Sequence, residues 1–154
     1  AGMGNVLIDT NVLVYAYDRA DSAKQRRAID LLGYIRTARI GAISAQTLSE
    51  FFTTATRKLV PPLTLAEAEA QLQSFISQWP VLPVTEKVVL EAVRGARLYR
   101  LHFWDAQIWA VARLHGLSTI LSEDFNPGAR IEDVRFINPF ALDFGPASWK
   151  NALG

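Results

Sequence analysis

Short apolar runs alternate with longer amphipathic stretches along most of this chain. Val6 to Ile8, Ile40 to Ile43, Val81 to Val84, Ser118 to Leu121 and Val134 to Ile137 read as strands. Between them, Asn11 to Asp18 and Ser22 to Arg39 read as helices, the second carrying Ile29, Leu32 and Ile35 at spacings of three, with Lys24, Arg26 and Arg27 near its start. Ala45 to Lys58 is the next helix. Leu59-Val60-Pro61-Pro62-Leu63 must interrupt it, since proline lacks the amide donor a helix interior needs. Thr64 to Gln78 resumes, with Glu67 and Glu69 in its first turns where carboxylates suit the helix dipole, and a hairpin hinged at the prolines is expected. Thr85 to Tyr99 and Trp104 to His115 follow, with Gly116 as the stop of the latter. Strands alternating with helices predict an α/β fold, α/β/α in layering, with a central, mostly parallel sheet of four to five strands flanked by helices.

From Pro139 the chain has no clean period, yet it is apolar for a tail. Phe140, Phe144 and Trp149 are expected to fold back on the domain, the other option being a partner surface. With 154 residues, half of them hydrophobic, the chain predicts a single domain over 1–154, with residues 1–4 as an N-terminal extension and 141–154 as a C-terminal tail. Ala1-Gly2 ahead of Met3 reads as an appended remnant.

The net charge of +1 is too small to mark a nucleic-acid binder by itself, so attraction for phosphate would have to come from local patches. Arg57-Lys58, and Arg94, Arg97 and Arg100 at spacings of three, are candidates, although most such stripes are solvated faces. Absence of cysteine removes disulfides and thiolate metal sites. With no secretory signal pattern and no apolar stretch approaching the roughly 20 residues of a membrane span, a soluble, cytoplasmic protein is expected.

The candidate chemistry lies in four acids. Asp9 closes the first strand, and in an open α/β sheet that edge is where ligands bind. An ionised Asp there is costly to desolvate unless paired; a metal ion would pair it, and capping of the following helix is the competing explanation. Glu50 falls in the first turns of the helix after the second strand, where Thr47 to Glu50 also fits a capping box. Asp105 opens another helix and could simply serve its dipole. Asp124 lies just past the fourth strand, beside Glu123, and either could be an ordinary loop acid. The set argues for function: a parallel sheet brings strand ends to one edge, and carboxylates gathered there repel one another unless a cation is present. Oxygen-only ligands suit Mg²⁺, with Mn²⁺ as a possible substitute. His102 and His115 sit at helix ends and do not look like ligands, which disfavours zinc.

With these residues assembled, the chain resembles the PIN-domain ribonucleases, most closely the VapC-type toxins of toxin–antitoxin pairs. The resemblance runs from Val6 to about Phe140 and rests on Ile8 to Leu13, on Ser44 to Phe51, on Trp104-Asp105-Ala106 with Ala110 and Ala112, on Leu121 to Phe125, and on Val134 to Phe140. It implies that Asp9, Glu50, Asp105 and Asp124 bind Mg²⁺ and position an attacking water. It further implies that Thr10 orients a carboxylate or caps its helix, that Asn11 hydrogen-bonds near the site, and that Glu123 is the weaker candidate beside Asp124. The implied substrate is RNA, cut to leave a 5′-phosphate, and the implied partners are an antitoxin protein and a second copy in a homodimer. Trp104 could stack a base, although a Trp at a helix start is more often core. The long tail departs from shorter family members.

Three other readings compete. A haloacid-dehalogenase phosphatase would need a second Asp two residues after the first, where this chain has Asn11. A non-catalytic RNA-binding domain is weakened by the presence of all four acids. A PIN nuclease of RNA processing, outside any toxin pair, remains open.

Overall fold

The computed structural model describes residues 4–126 and 128–154, so of the expected N-terminal extension only Gly4 falls within it. In chain order the elements are β1 (Val6–Ile8), α1 (Thr10–Tyr15), α2 (Ser22–Ala38), β2 (Gly41–Ser44), α3 (Ala45–Arg57), α4 (Leu65–Gln78), β3 (Val81–Leu82), α5 (Glu86–Tyr99), α6 (Phe103–Leu114), β4 (Thr119–Leu121), β5 (Arg130–Ile131), β6 (Val134–Ile137) and α7 (Pro146–Leu153). Every strand and helix expected from the apolar pattern is present. Two elements were not expected, β5 and α7.

The sheet has six strands in the order β3-β2-β1-β4-β6-β5, one more than the pattern indicated. All pairings are parallel except that of β5 with β6. β1 lies at the centre, with Val6 opposite Gly41 on one side and opposite Thr119 on the other. The chain builds outward from β1 through β2 to β3, then crosses back to lay β4 against β1. This reversal is the topological switch point, where the loops after two adjacent strands diverge and leave a crevice at their carboxyl ends. Asp9 follows β1 there, and Ser122 to Asp124 follow β4.

Alternation along β1 feeds two cores, one on each face of the sheet. Val6 and Ile8 join Leu31, Ile35, Phe51 and Phe75 from α2, α3 and α4. Leu7 joins Val88, Ala92, Ile108, Trp109 and Phe136 on the opposite face. Small residues let α5 and α6 pack closely: a β-carbon at Gly95 would lie 2.6 Å from the Trp109 ring. Ala110 and Ala112 are fully buried on the same side.

The face of α2 differs from the sequence expectation. Its buried residues are Ala28, Leu31 and Ile35, while Ile29 is 49% exposed. Packing of the helix against the sheet and α7 selects a stripe offset from the one drawn by Ile29, Leu32 and Ile35. The tail does fold back. Phe144, Trp149 and Leu153 are buried in the first core, and Arg27 donates to the carbonyls of Pro139 and Phe144 while Arg135 donates to that of Ala152. The proline hinge joins α3 and α4 as expected, with the Leu63 amide bonded to the Ala55 carbonyl. Thr64 and Glu67 form a reciprocal capping box at the start of α4. Among the described residues no helix is long and apolar enough to cross a membrane.

Candidate metal centre

Asp9 is the N-cap of α1, its Oδ1 accepting from the Thr10 amide at 2.7 Å. Its other oxygen accepts from the Ser122 hydroxyl at 2.7 Å, and the residue is 5% exposed. Capping and membership of the acid cluster therefore coexist, because the strand must end and the helix begin at the sheet edge. Among the described residues no cationic side chain pairs with this carboxylate. Burial pushes its pKa up to about 7, against the hydrogen bonds from Ser122 and Thr10, and repulsion from Glu50 and Asp124 adds to the rise.

Glu50 enters from the second turn of α3. The capping box that competed as an explanation of Glu50 does not form: the N-cap is Ser44, whose hydroxyl accepts from the Thr47 amide at 3.1 Å. The helix starts three residues earlier than a Thr47 cap requires, which leaves Glu50 free to turn toward the sheet edge. There its Oε1 accepts from the Thr10 hydroxyl at 2.9 Å and from the Gln46 amide at 3.4 Å. Gln46 also donates to the Trp104 carbonyl at 3.1 Å and accepts from Gln107 at 2.7 Å. The start of α3 is thereby tied to the start of α6, which carries Asp105. Burial raises the Asp105 carboxyl, Asp124 and Glu50 repel it further, and nearby His102, at the N-cap of α6, acts in the opposite direction.

Asp124 is held by Asn11, whose Nδ2 donates to its Oδ2 at 3.1 Å and to the Ser122 hydroxyl oxygen at 3.0 Å. Asn11 Oδ1 accepts from the Glu123 amide at 3.3 Å, and Ser122 Oγ accepts from the Asp124 amide at 3.1 Å. Glu123 points elsewhere: its carboxylate binds the Tyr15 hydroxyl at 2.6 Å and Lys24 Nζ at 2.9 Å. That bond raises the Lys24 pKa above its ordinary value, with the Tyr15 hydroxyl adding to it. Phe125 stacks on Phe136, with ring centroids 4.0 Å apart, and anchors the loop after Asp124.

The structure thus brings Asp9 and Asp105 each within electrostatic reach of Glu50 and Asp124. Among the described residues no three His, Asp or Glu side chains stand in position to hold one ion between them directly. Ser122, Gln46 and Gln107 were not singled out from sequence. Ser122 could have been suspected as a hydroxyl within two residues of an acid just past a buried strand; the glutamines gave no signal, because their partners are distant in sequence.

A cleft of about 460 Å³ opens beside the cluster, lined by Thr10, Asn11, Tyr15, Glu50, Lys58 and Asp124 among others. Lys58 is the member of the basic candidates that reaches it. Arg94 is committed to Glu91 at 2.6 Å and Glu132 at 2.8 Å, while Arg97 and Arg100 are exposed at the C-terminal end of α5 and do not line the cleft. His115 caps α6, with Nδ1 2.9 Å from the Val111 carbonyl. Trp104 is not core: it is 54% exposed.

Comparison with known proteins finds the same fold in several solved structures. The chain is similar in structure to a toxin–antitoxin complex from Klebsiella pneumoniae (TM-score 0.65, 21% identity, 87% of this chain and 97% of that one). It is likewise similar to FitAcB from Neisseria gonorrhoeae (TM-score 0.63, 21% identity, 89% and 99%). A Mycobacterium tuberculosis VapC toxin described as cleaving the sarcin–ricin loop superposes with TM-score 0.59 at 18% identity, over 75% and 86% of the two chains. No curated protein sequence matches the chain. The family model for the PIN domain matches residues 6–132, which is most of the chain and includes every acid of the cluster. The chain belongs to the PIN domain family.

Proposed function

We propose that this protein is a Mg²⁺-dependent endoribonuclease, the toxin component of a VapBC-type pair, with Asp9, Glu50, Asp105 and Asp124 as its catalytic acids. The observation that carries the reading is the buried, unpaired Asp9 at the switch point of the sheet with Glu50 and Asp124 close enough to repel it. Such a cluster is unfavourable on its own and becomes favourable with a cation. The donor set fits: carboxylates alone, without sulfur or a directed imidazole, suit a hard divalent ion that retains several of its waters. Retained waters also suit acids too dispersed to enclose an ion directly. Asp9, Asp105, Asp124 and Glu50 would hold the ion, which when bound supplies an activated water and neutralises charge developing on the phosphate.

The chain's own residues prepare the site for this. Ser122 and the Thr10 amide fix both oxygens of Asp9. The Thr10 hydroxyl orients Glu50, and Asn11 orients Asp124, so three acids arrive in set directions before any ligand binds. Glu123, occupied by Lys24 and Tyr15, is assigned to bracing the loop that carries Asp124. The cleft beside the acids admits a phosphodiester, and Lys58 on its wall offers a cation to a neighbouring phosphate.

The toxin–antitoxin assignment is supported by the complexes among the structural neighbours; an antitoxin bound over the cleft, a homodimer and a cytoplasmic setting belong to it. The test is incubation of the purified chain with total RNA in Mg²⁺ or Mn²⁺, in EDTA, and with Asp9→Asn. Discrete fragments with 5′-phosphates, seen only with metal and only with the unsubstituted chain, are the expected result. Absence of cleavage with every RNA offered, under both metals, would refute the reading.

A further inference from the structure

We propose that Trp104 is a base-stacking subsite that positions the nucleotide beside the cleaved bond; the inference rests on the ribonuclease reading above. Of the four tryptophans, Trp79, Trp109 and Trp149 are at most 5% exposed, whereas Trp104 is 54% exposed. This open indole stands at the first turn of α6, directly before an acid of the cluster, with its flat face available to a ligand. Its place is also fixed. The Trp104 carbonyl accepts from Gln46, and its ring meets Phe103 edge-on with centroids 5.2 Å apart.

Trp104 forms one wall of a second groove, of about 530 Å³, completed by Gln46, Ser49, Glu50, Thr53 and Thr54. Glu50 and Thr54 line this groove and the acid cleft alike, so the two adjoin at α3. A strand with its phosphate at the acids and its sugar-phosphate chain running over α3 would bring the adjacent base against the indole. The hydroxyls of Ser49 and Thr53 and the Gln46 amide are neutral donors and acceptors suited to base edges rather than phosphates. The aromatic end of the track is thus separated from its cationic end at Lys58, a division between base contact and backbone contact. Stacking needs an unpaired base, so the substrate class is single-stranded or looped RNA.

Because the other three indoles are buried, Trp104 dominates the fluorescence that iodide can quench. The full chain with Asp9→Asn, which blocks turnover, is titrated with short single-stranded RNA oligomers and with abasic versions of the same backbone. Binding is followed by oligomer anisotropy and shielding by iodide. Oligomers with bases should shield Trp104, while abasic ones bind more weakly and leave it accessible. Trp104→Ala should weaken binding of base-containing oligomers about 5- to 150-fold, the ratio equivalent to about 1–3 kcal/mol of stacking, and Trp104→Phe should recover most of it. In the active chain, Trp104→Ala should redistribute the cleavage positions in total RNA, whereas Lys58→Ala should slow all of them alike. If RNA is bound and cut while Trp104 stays open to iodide and Trp104→Ala binds normally, the subsite is refuted and the nuclease reading stands. If Trp104 becomes shielded with rising protein concentration in the absence of RNA, it belongs to a contact between copies and the subsite is likewise refuted. If no RNA is bound or cut, the nuclease reading fails and the subsite with it.

Discussion

Replacing Asp9 by Asn removes a carboxylate that the fold holds at a cost. In the folded chain its pKa is about 7 rather than the ordinary 3.8, chiefly through burial. The folded state therefore keeps a proton that the unfolded state has already lost, and stability must fall as pH rises from about 4 to about 7. A displacement of roughly three units at about 1.36 kcal/mol each makes ionised Asp9 cost about 4 kcal/mol at pH 8 in the absence of a cation. Against a typical total of about 5–15 kcal/mol this is a large term. Asn is neutral at every pH and close to the protonated acid in size. Urea denaturation with a chelator present should give similar stabilities for the two proteins near pH 3, an advantage to Asp9→Asn of about 1–2 kcal/mol near pH 5, and one of about 4 kcal/mol near pH 8. Asp105 adds a slope of the same sign to both proteins, so the difference between them isolates Asp9. Added Mg²⁺ should close the gap by stabilising only the unsubstituted fold. Parallel pH curves, or a less stable variant near pH 8, would refute the argument that Asp9 is a strained, unpaired acid.

Other outcomes follow from the same geometry. Ser122→Ala removes the hydroxyl that donates to Asp9 and accepts from Asn11 and the Asp124 amide; it should cost about 1–3 kcal/mol in urea denaturation and move the pH profile of cleavage upward. Asp124→Asn should abolish cleavage with the fold intact, whereas Glu123→Gln, which breaks a partly exposed pair with Lys24, should retain cleavage and lose about 1 kcal/mol or less of stability. Gly95→Ala would place a methyl 2.6 Å from the fully buried Trp109 ring and should destabilise by about 1–3 kcal/mol while leaving the acid cluster undisturbed, as thermal denaturation and cleavage assays would report together.

The sheet and its helices were legible because buried parallel strands write themselves as short apolar runs, as in Val6 to Ile8 and Thr119 to Leu121. β5 was not, since two residues joined to β6 by the turn at Glu132, which has φ 55°, carry no period to read. α7 begins at Pro146, a favoured first position, but its eight residues hold too few apolar positions to declare a face. The four acids were legible as a set because each follows a strand or opens a helix at one sheet edge. What tied them together was not. Ser122 and Gln46 act on Asp9 and Glu50 through contacts that depend on how β4 and α6 meet α1 and α3, and the reach of Glu123 toward Lys24 depends on where α2 lies.

The claim that these acids form one cation site is tested most directly by titrating Mn²⁺ into the folded chain and following free Mn²⁺ by electron paramagnetic resonance, with Asp9→Asn and Asp105→Asn alongside. Saturable binding that either substitution abolishes or sharply weakens, with Mg²⁺ competing for the same site, is the expected result. Binding unchanged by both substitutions, or no binding by a chain shown to be folded, would contradict it.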